Sequence, residues 1–156
     1  MELDDFDRRL LDAVQEDSRR TGEVLAALVG LSPAACLRRL QRLRAAGVIE
    51  REVAILDPRV AGTRLSLIVN VTLERERPDL ADGFARAMRQ APEVSQCYYV
   101  TGAVDYVLLV MVADMADYEA FTRRHLFGTN VRRFETVVVM ARTKFATRVP
   151  ITTSAS

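Results

Sequence analysis

Apolar residues return every three or four positions through the first third of the chain, then give way to alternation and solid apolar runs. Between residues 3 and 15, Phe6, Leu10, Leu11 and Val14 fall at i, i+4, i+5 and i+8, the spacing of an amphipathic helix. Asp4, Asp5 and Asp7 crowd its first turn, where the helix dipole favours acids. Thr21 or Gly22 opens a short second helix through Val24, Leu25, Ala26 and Leu28. Gly30 and Leu31 make a tight connection into a third. Ser32 is a good N-cap for that helix, Pro33 suits its first position, and Gly47 is a natural stop. Cys36, Leu40 and Leu43 mark its apolar face. Two short helices joined by a Gly-containing turn are a helix-turn-helix arrangement, and the first helix completes a small three-helix core. After Gly47, Val48-Ile49 resumes apolar character. Val53 and Ile55 then alternate with polar residues, which predicts a strand that Asp57-Pro58 ends.

The second half has a different pattern. Residues 65–73 alternate and are rich in Val, Ile and Thr, which predicts a strand. Residues 78–90 read as a helix with Leu80, Phe84, Ala87 and Met88 on one side. Residues 94–101 form a strand that stops at Gly102. Residues 105–113 are a nearly continuous apolar run, suited to a central, buried strand. Asp114 caps a helix with Tyr118, Phe121 and Leu126 inward, and residues 131–144 form the last strand. The order is β-α-β-β-α-β, the ferredoxin-like arrangement. Helices would cover one face of an antiparallel sheet. The other face also reads as apolar, which invites burial by a second copy.

Charge sharpens the picture of the first part. Residues 1–58 hold nine arginines and eleven acids, yet residues 18–49 hold six arginines against Glu23 alone. The module is therefore polarised rather than basic. Its third helix starts small and carries Arg38, Arg39 and Arg42 on its polar side. Such a helix suits the DNA major groove, so Ser32, Pro33, Ala34, Arg38, Arg39 and Arg42 are candidate DNA contacts. A solvated amphipathic helix is the plainer alternative. Net charge of +1 gives no global steering, so double-stranded DNA must be held by this local patch and by multivalency.

These pieces together resemble the Lrp/AsnC (leucine-responsive, feast/famine) transcriptional regulators. The resemblance runs from Leu3 to about Pro150. It rests on Leu3-Asp4, Asp7 and Leu10-Leu11; on Leu25-Ala26 and Gly30-Leu31-Ser32-Pro33; and on Cys36-Leu37-Arg38-Arg39-Leu40 and Gly47-Val48-Ile49. Further on come Leu56-Asp57-Pro58, Gly62, Pro92-Glu93-Val94 and Val100-Thr101-Gly102-Ala103-Val104-Asp105-Tyr106. It implies an α+β chain: an N-terminal winged helix-turn-helix DNA-binding domain over residues 1–49, a linking strand or hinge over 50–62, a ferredoxin-like ligand-binding and oligomerisation domain over 63–150, and a tail over 151–156. It also implies homodimers that assemble to tetramers or octamers and respond to a small amino-acid-like effector. The turn after the second strand is then the expected effector site, with Tyr99, Thr101, Gly102, Ala103, Val104, Asp105 and Tyr106 as candidates. Without the resemblance the same residues read as an ordinary hairpin turn. Thr136 matches a place where the family often has a hydroxyl facing this pocket from a neighbouring subunit; a plain strand threonine is the alternative. Two departures stand out. Ala103 occupies a place that is commonly acidic, which favours neutral effectors over basic ones. Arg44-Ala45-Ala46 replaces a usual acidic pair, which makes the third helix more basic.

The sequence offers no enzymatic constellation: no nucleophile with a neighbouring base, and no Gly-rich loop between strand and helix. Cys36 and Cys97 form no metal or redox motif and read as two buried, reduced thiols. His125, the sole histidine, reads as a helix-end residue. No cofactor and no metal is expected. No apolar run is long enough for a membrane, and the acidic N-terminus is not a secretory signal, so a cytoplasmic protein is expected. The reading is a sequence-specific, effector-responsive regulator. Its rivals are a nucleoid-style architectural DNA-binding protein without an effector and, less favoured, a small dimeric ferredoxin-like enzyme.

Overall fold

Asp4 opens the first helix by accepting the Asp7 N–H at 2.8 Å, and the Asp7 side chain reaches back to the Asp4 N–H. This reciprocal cap satisfies two backbone donors that a helix start leaves free. The Asp4 carboxyl sits below its usual range, first because of that N–H and then because of the Arg39 guanidinium. The structure, a computed structural model, describes residues 2–74 and 77–151. Helices α1 (Asp5–Glu16), α2 (Gly22–Val29) and α3 (Pro33–Ala45) come first. Then follow β1 (Leu65–Leu73), α4 (Pro78–Gln90), β2 (Val94–Tyr99), β3 (Tyr106–Val112), α5 (Met115–His125) and β4 (Val131–Val138). No described helix is long and apolar enough to cross a membrane.

The chain divides into two compact units. One contains residues up to Ile55 together with those from Lys144 onward. Its core is Leu10, Leu11, Leu25, Val29, Cys36, Leu40 and Leu43. Gly22 is buried where α2 meets α3: a Cβ there would lie 3.3 Å from that of Pro33. The two helices of the motif thus approach closely at a glycine, against Pro33 and Leu37 of α3. Residues from Lys144 return to α1. Arg148 bridges Asp12 and Glu16, Val149 exchanges two hydrogen bonds with the Gln15 side chain, and Ile151 packs on the core.

The other unit, Leu56–Thr143, is a four-stranded antiparallel sheet in the order β2-β3-β1-β4. Leu67, Val69, Val71 and Leu73 of β1 face the same side as Tyr106, Leu108, Val110 and Val112 of β3. Phe84, Met88, Phe121 and Leu126 from the helical segments complete that core. The apolar run of β3 is central but not buried on both faces: Val107, Leu109 and Met111 are only half-buried. The helices of this unit cover one side of its antiparallel sheet, and its other side carries Ile68, Tyr98 and Val137, which are exposed.

Three expectations are corrected. Among the described residues the predicted strand through Val53 and Ile55 has no ladder partner, and no hairpin wing follows α3. An alternating run becomes a strand only when another backbone takes up its N–H and C=O groups. The last strand stops at Val138, short of the predicted residue 144. Cys97 is half-buried rather than buried, while Cys36 is buried; both are free thiols.

Candidate DNA interface and effector turn

Helix α3 begins as its sequence dictates. Ser32 Oγ accepts the Ala35 N–H at 3.2 Å, and Pro33 occupies the first turn. It ends at Gly47, whose φ of +71° suits glycine. The Val48 N–H there donates to Leu43 O at 3.0 Å and the Gly47 N–H to Arg44 O at 3.0 Å, which takes up two orphan carbonyls. Cys36, Leu40 and Leu43 turn into the core. The opposite, exposed side is the stripe Ala34, Arg38, Gln41 and Ala45, at i, i+4, i+7 and i+11.

The three candidate arginines fall into different environments. Arg38 lies on the exposed stripe, and no described acid pairs with it. Arg39 donates to Asp4 at 2.7 Å and to Asp7 at 2.9 Å, and lies 5.5 Å over the Phe6 ring. Those carboxylates, Asp4 first, push its already high pKa further up. Arg42 reaches the other Asp7 oxygen at 2.6 Å and keeps half of its side chain in solvent. Asp7 itself is 1 % exposed. A buried carboxylate thus fastens two guanidiniums of α3 to α1, and Arg38 is left as the stripe's free cation among the described residues. Gln41, absent from the sequence candidates, shares the stripe. Its signal was available: it stands three residues after Arg38, on the same helical face.

The second candidate region is the turn between β2 and β3. The Val100 N–H donates to Asp105 O at 2.9 Å and closes it, and Gly102 has φ +128°. Thr101, Gly102 and Ala103 are exposed; Val104 and Asp105 are half-buried. The Asp105 backbone N–H donates to Val71 O at 2.9 Å, and Asp105 Oδ2 accepts the Leu73 N–H at 2.7 Å. One carboxylate oxygen therefore holds the turn to the end of β1. The Tyr99 ring packs 5.2 Å from that of Tyr106 and is itself 74 % exposed. Tyr106 donates to Ala81 O at 3.2 Å, and burial pushes its phenol pKa up, so it stays neutral at ordinary pH. The chain thus gathers Tyr99, Thr101, Gly102, Ala103, Val104, Asp105 and Tyr106 in one place. It does not bring Thr136 there: Thr136 pairs with Val69, and its hydroxyl meets that of Tyr118 from α5 at 2.5 Å.

The chain thus joins a helix-turn-helix head to a ferredoxin-like sheet. The AsnC-type helix-turn-helix domain matches residues 3–44, and the Lrp/AsnC ligand binding domain matches residues 66–149. The chain belongs to the Lrp/AsnC family. It is 50% identical over 152 residues to an uncharacterised HTH-type transcriptional regulator of Sinorhizobium fredii, covering 97% of this chain and 90% of that one. It is 37% identical over 155 residues to the leucine-responsive regulatory protein of Escherichia coli, covering 97% and 93%. Among solved structures, an AsnC family transcriptional regulator from Agrobacterium tumefaciens aligns with a TM-score of 0.88 at 35% identity, covering 95% of this chain and 97% of that one. A Neisseria meningitidis transcriptional regulator in complex with L-Met aligns with a TM-score of 0.88 at 33% identity, covering 96% and 97%. As an Lrp/AsnC regulator, the protein is a DNA-binding transcriptional regulator with a ligand-binding domain. Among the described residues no group of three His, Cys, Asp or Glu side chains is placed to hold a metal.

Proposed function

We infer that this Lrp/AsnC regulator reads DNA sequence through the exposed stripe of α3 and works as a homo-oligomer whose DNA binding answers to an amino-acid-like effector at the 99–106 turn. The observation that carries the DNA reading is the capped helix with Ala34, Arg38, Gln41 and Ala45 turned away from the core. Ser32, Pro33 and Ala34 are small and exposed at its start, which permits close approach to a groove wall. Arg38 and Gln41 are suited to base edges, and Arg42 to phosphate. Arg39, held by two acids, serves mainly to fix the helix. The variant Arg38→Ala should weaken operator binding by about 1–3 kcal/mol and narrow the gap between operator and scrambled DNA. A mobility shift at fixed salt checks this. Equal binding by wild type and variant overturns it, and a wild type that never separates the two DNAs marks an architectural binder instead.

The uncovered sheet face supports the oligomer. Ile68, Tyr98 and Val137 are exposed there, beside half-buried Val107 and Leu109. Val53, Ile55 and Leu56 stand in solvent in the linking segment. Surfaces of this kind mark contacts between copies. For sensing, Asp105 Oδ1 is the charge offered to an ammonium, and Gly102 lets a ligand approach the backbone. The L-Met complex of the Neisseria relative supports an amino acid as the class. Asp105→Asn keeps an acceptor for the Leu73 N–H while removing the charge. Calorimetry across the amino acids should therefore find a ligand that binds the variant about tenfold or more weakly. Equal affinity would leave Asp105 as a turn residue alone.

A further inference from the structure

Four arginines lie along α3, and acids hold three of them. Arg39 is held by Asp4 and Asp7, and Arg42 by Asp7. Arg44 donates two hydrogen bonds to the Glu52 carboxylate, at 3.0 and 3.3 Å. Among the described residues the side chains of Arg38 and Gln41 engage no such partner, and both residues are exposed. We propose that these two side chains set the operator sequence: Arg38 takes a guanine and Gln41 an adenine, on base pairs one or two steps apart in the major groove. The proposal rests on the reading of α3 as the helix that enters the groove.

The chemistry of the two side-chain ends selects the bases. A guanidinium presents a planar fork of donors and no acceptor, so it matches the paired O6 and N7 acceptors of guanine. A primary amide presents a donor and an acceptor side by side. Its N–H donates to N7 of adenine while its oxygen accepts from the N6 amino group. A guanidinium engaged by a carboxylate has part of its fork occupied, and one that turns to phosphate carries no sequence information. Arg38, free of acids, keeps the whole fork for a base.

The spacing selects the distance between the bases. Three residues of helix advance about 4.5 Å along its axis and return to nearly the same face. A base step is about 3.4 Å. The two contacts therefore fall on neighbouring base pairs or on pairs one step further. Ala34 lies one turn ahead of Arg38 and Ala45 one turn beyond Gln41, both exposed. Methyl groups at those places let the helix lie close enough for both side chains to reach base edges. Gln41 is uncharged and adds nothing to the attraction of phosphates, so its effect is on sequence alone.

Selection of binding sites from random double-stranded DNA by the full-length protein, followed by atom-level changes in the selected site, tests the assignment. The enriched half-site should hold a guanine and an adenine within two steps of each other. Replacing that guanine by 7-deazaguanine removes N7. It should weaken wild-type binding about tenfold and leave binding by Arg38→Ala as it was. 7-Deazaadenine should weaken wild-type binding about fivefold and leave binding by Gln41→Ala as it was. Each variant should lose preference at its own base and keep it at the other. Both positions are exposed, so neither variant disturbs the core, which circular dichroism checks. An enriched site without that pair of bases, or deaza effects that persist in the variants, overturns the proposal and leaves the reading of α3 standing. No enriched site at all overturns both.

Discussion

Replacing Phe121 by alanine should cost the sheet unit about 3–5 kcal/mol, the range for removing a large aromatic from a closed core. Phe121 is fully buried on the inner side of α5, with the Tyr118 ring 6.1 Å and the His125 ring 5.1 Å from it. It shares a core with Leu108, Val110 and Leu126. A loss of that size is a large part of the total stability of a small domain, about 5–15 kcal/mol. The helical unit has a separate core and loses none of these contacts. Thermal unfolding followed by circular dichroism should therefore split into two steps, the sheet unit melting first. A single transition displaced by less than about 1 kcal/mol would show that α5 does not hold the sheet as its packing indicates.

The second large effect is expected at Asp7. Its two carboxylate oxygens receive Arg39 at 2.9 Å and Arg42 at 2.6 Å, and one of them also caps α1. Asp7→Ala should destabilise the helical unit by about 1–3 kcal/mol, the range for charge-assisted bonds lost together. The cost stays below that of stranding a fully buried charge, because Arg39 and Arg42 are 27% and 51% exposed and can turn to water. DNA binding should respond in the other direction at low salt. With the Asp7 charge gone, Arg42 loses its acid and Arg39 keeps only Asp4, so α3 becomes more positive, affinity for DNA of any sequence rises and its salt dependence steepens. Urea unfolding and a salt titration of binding check the two halves. Unchanged stability would mean that the three-way clamp is only a surface contact.

Much of this molecule was legible in its sequence, for identifiable reasons. Caps and stops act within a few residues, so Thr21, Ser32, Pro33, Gly47 and Asp114 placed helix ends closely. Alternation in 65–73 placed the inner face of β1 because one side of the sheet is buried and the other is not. Long-range pairing was not legible. Arg38, Arg39 and Arg42 look alike in the chain, and only the fold shows that Asp7, more than thirty residues away, binds two of them. The same limit applies to Thr136, whose hydroxyl goes to Tyr118 on α5, and to Asp105, whose carboxylate reaches Leu73. The Val53–Ile55 alternation predicted a strand that the described residues do not form, because alternation by itself does not supply a pairing backbone.

The return of the chain to α1 through Arg148, Val149 and Ile151 makes the helical unit discontinuous, with the whole sheet unit threaded between Ile55 and Lys144. Seen as polymer physics, the sheet unit is a loop that must be closed before its C-terminal end can dock. When folded, it fixes the separation of its two ends, and docking costs little chain entropy. When it melts, the same segment becomes a long flexible loop, and every docking event must pay the closure entropy, which grows only slowly with length, by about 0.6 kcal/mol per doubling. Order in the sheet unit is thereby felt by α1 with no contact needed between the two cores. Whatever stiffens the loop raises the local concentration of residues 148–151 at α1, and whatever loosens it lets that end of the chain fray first.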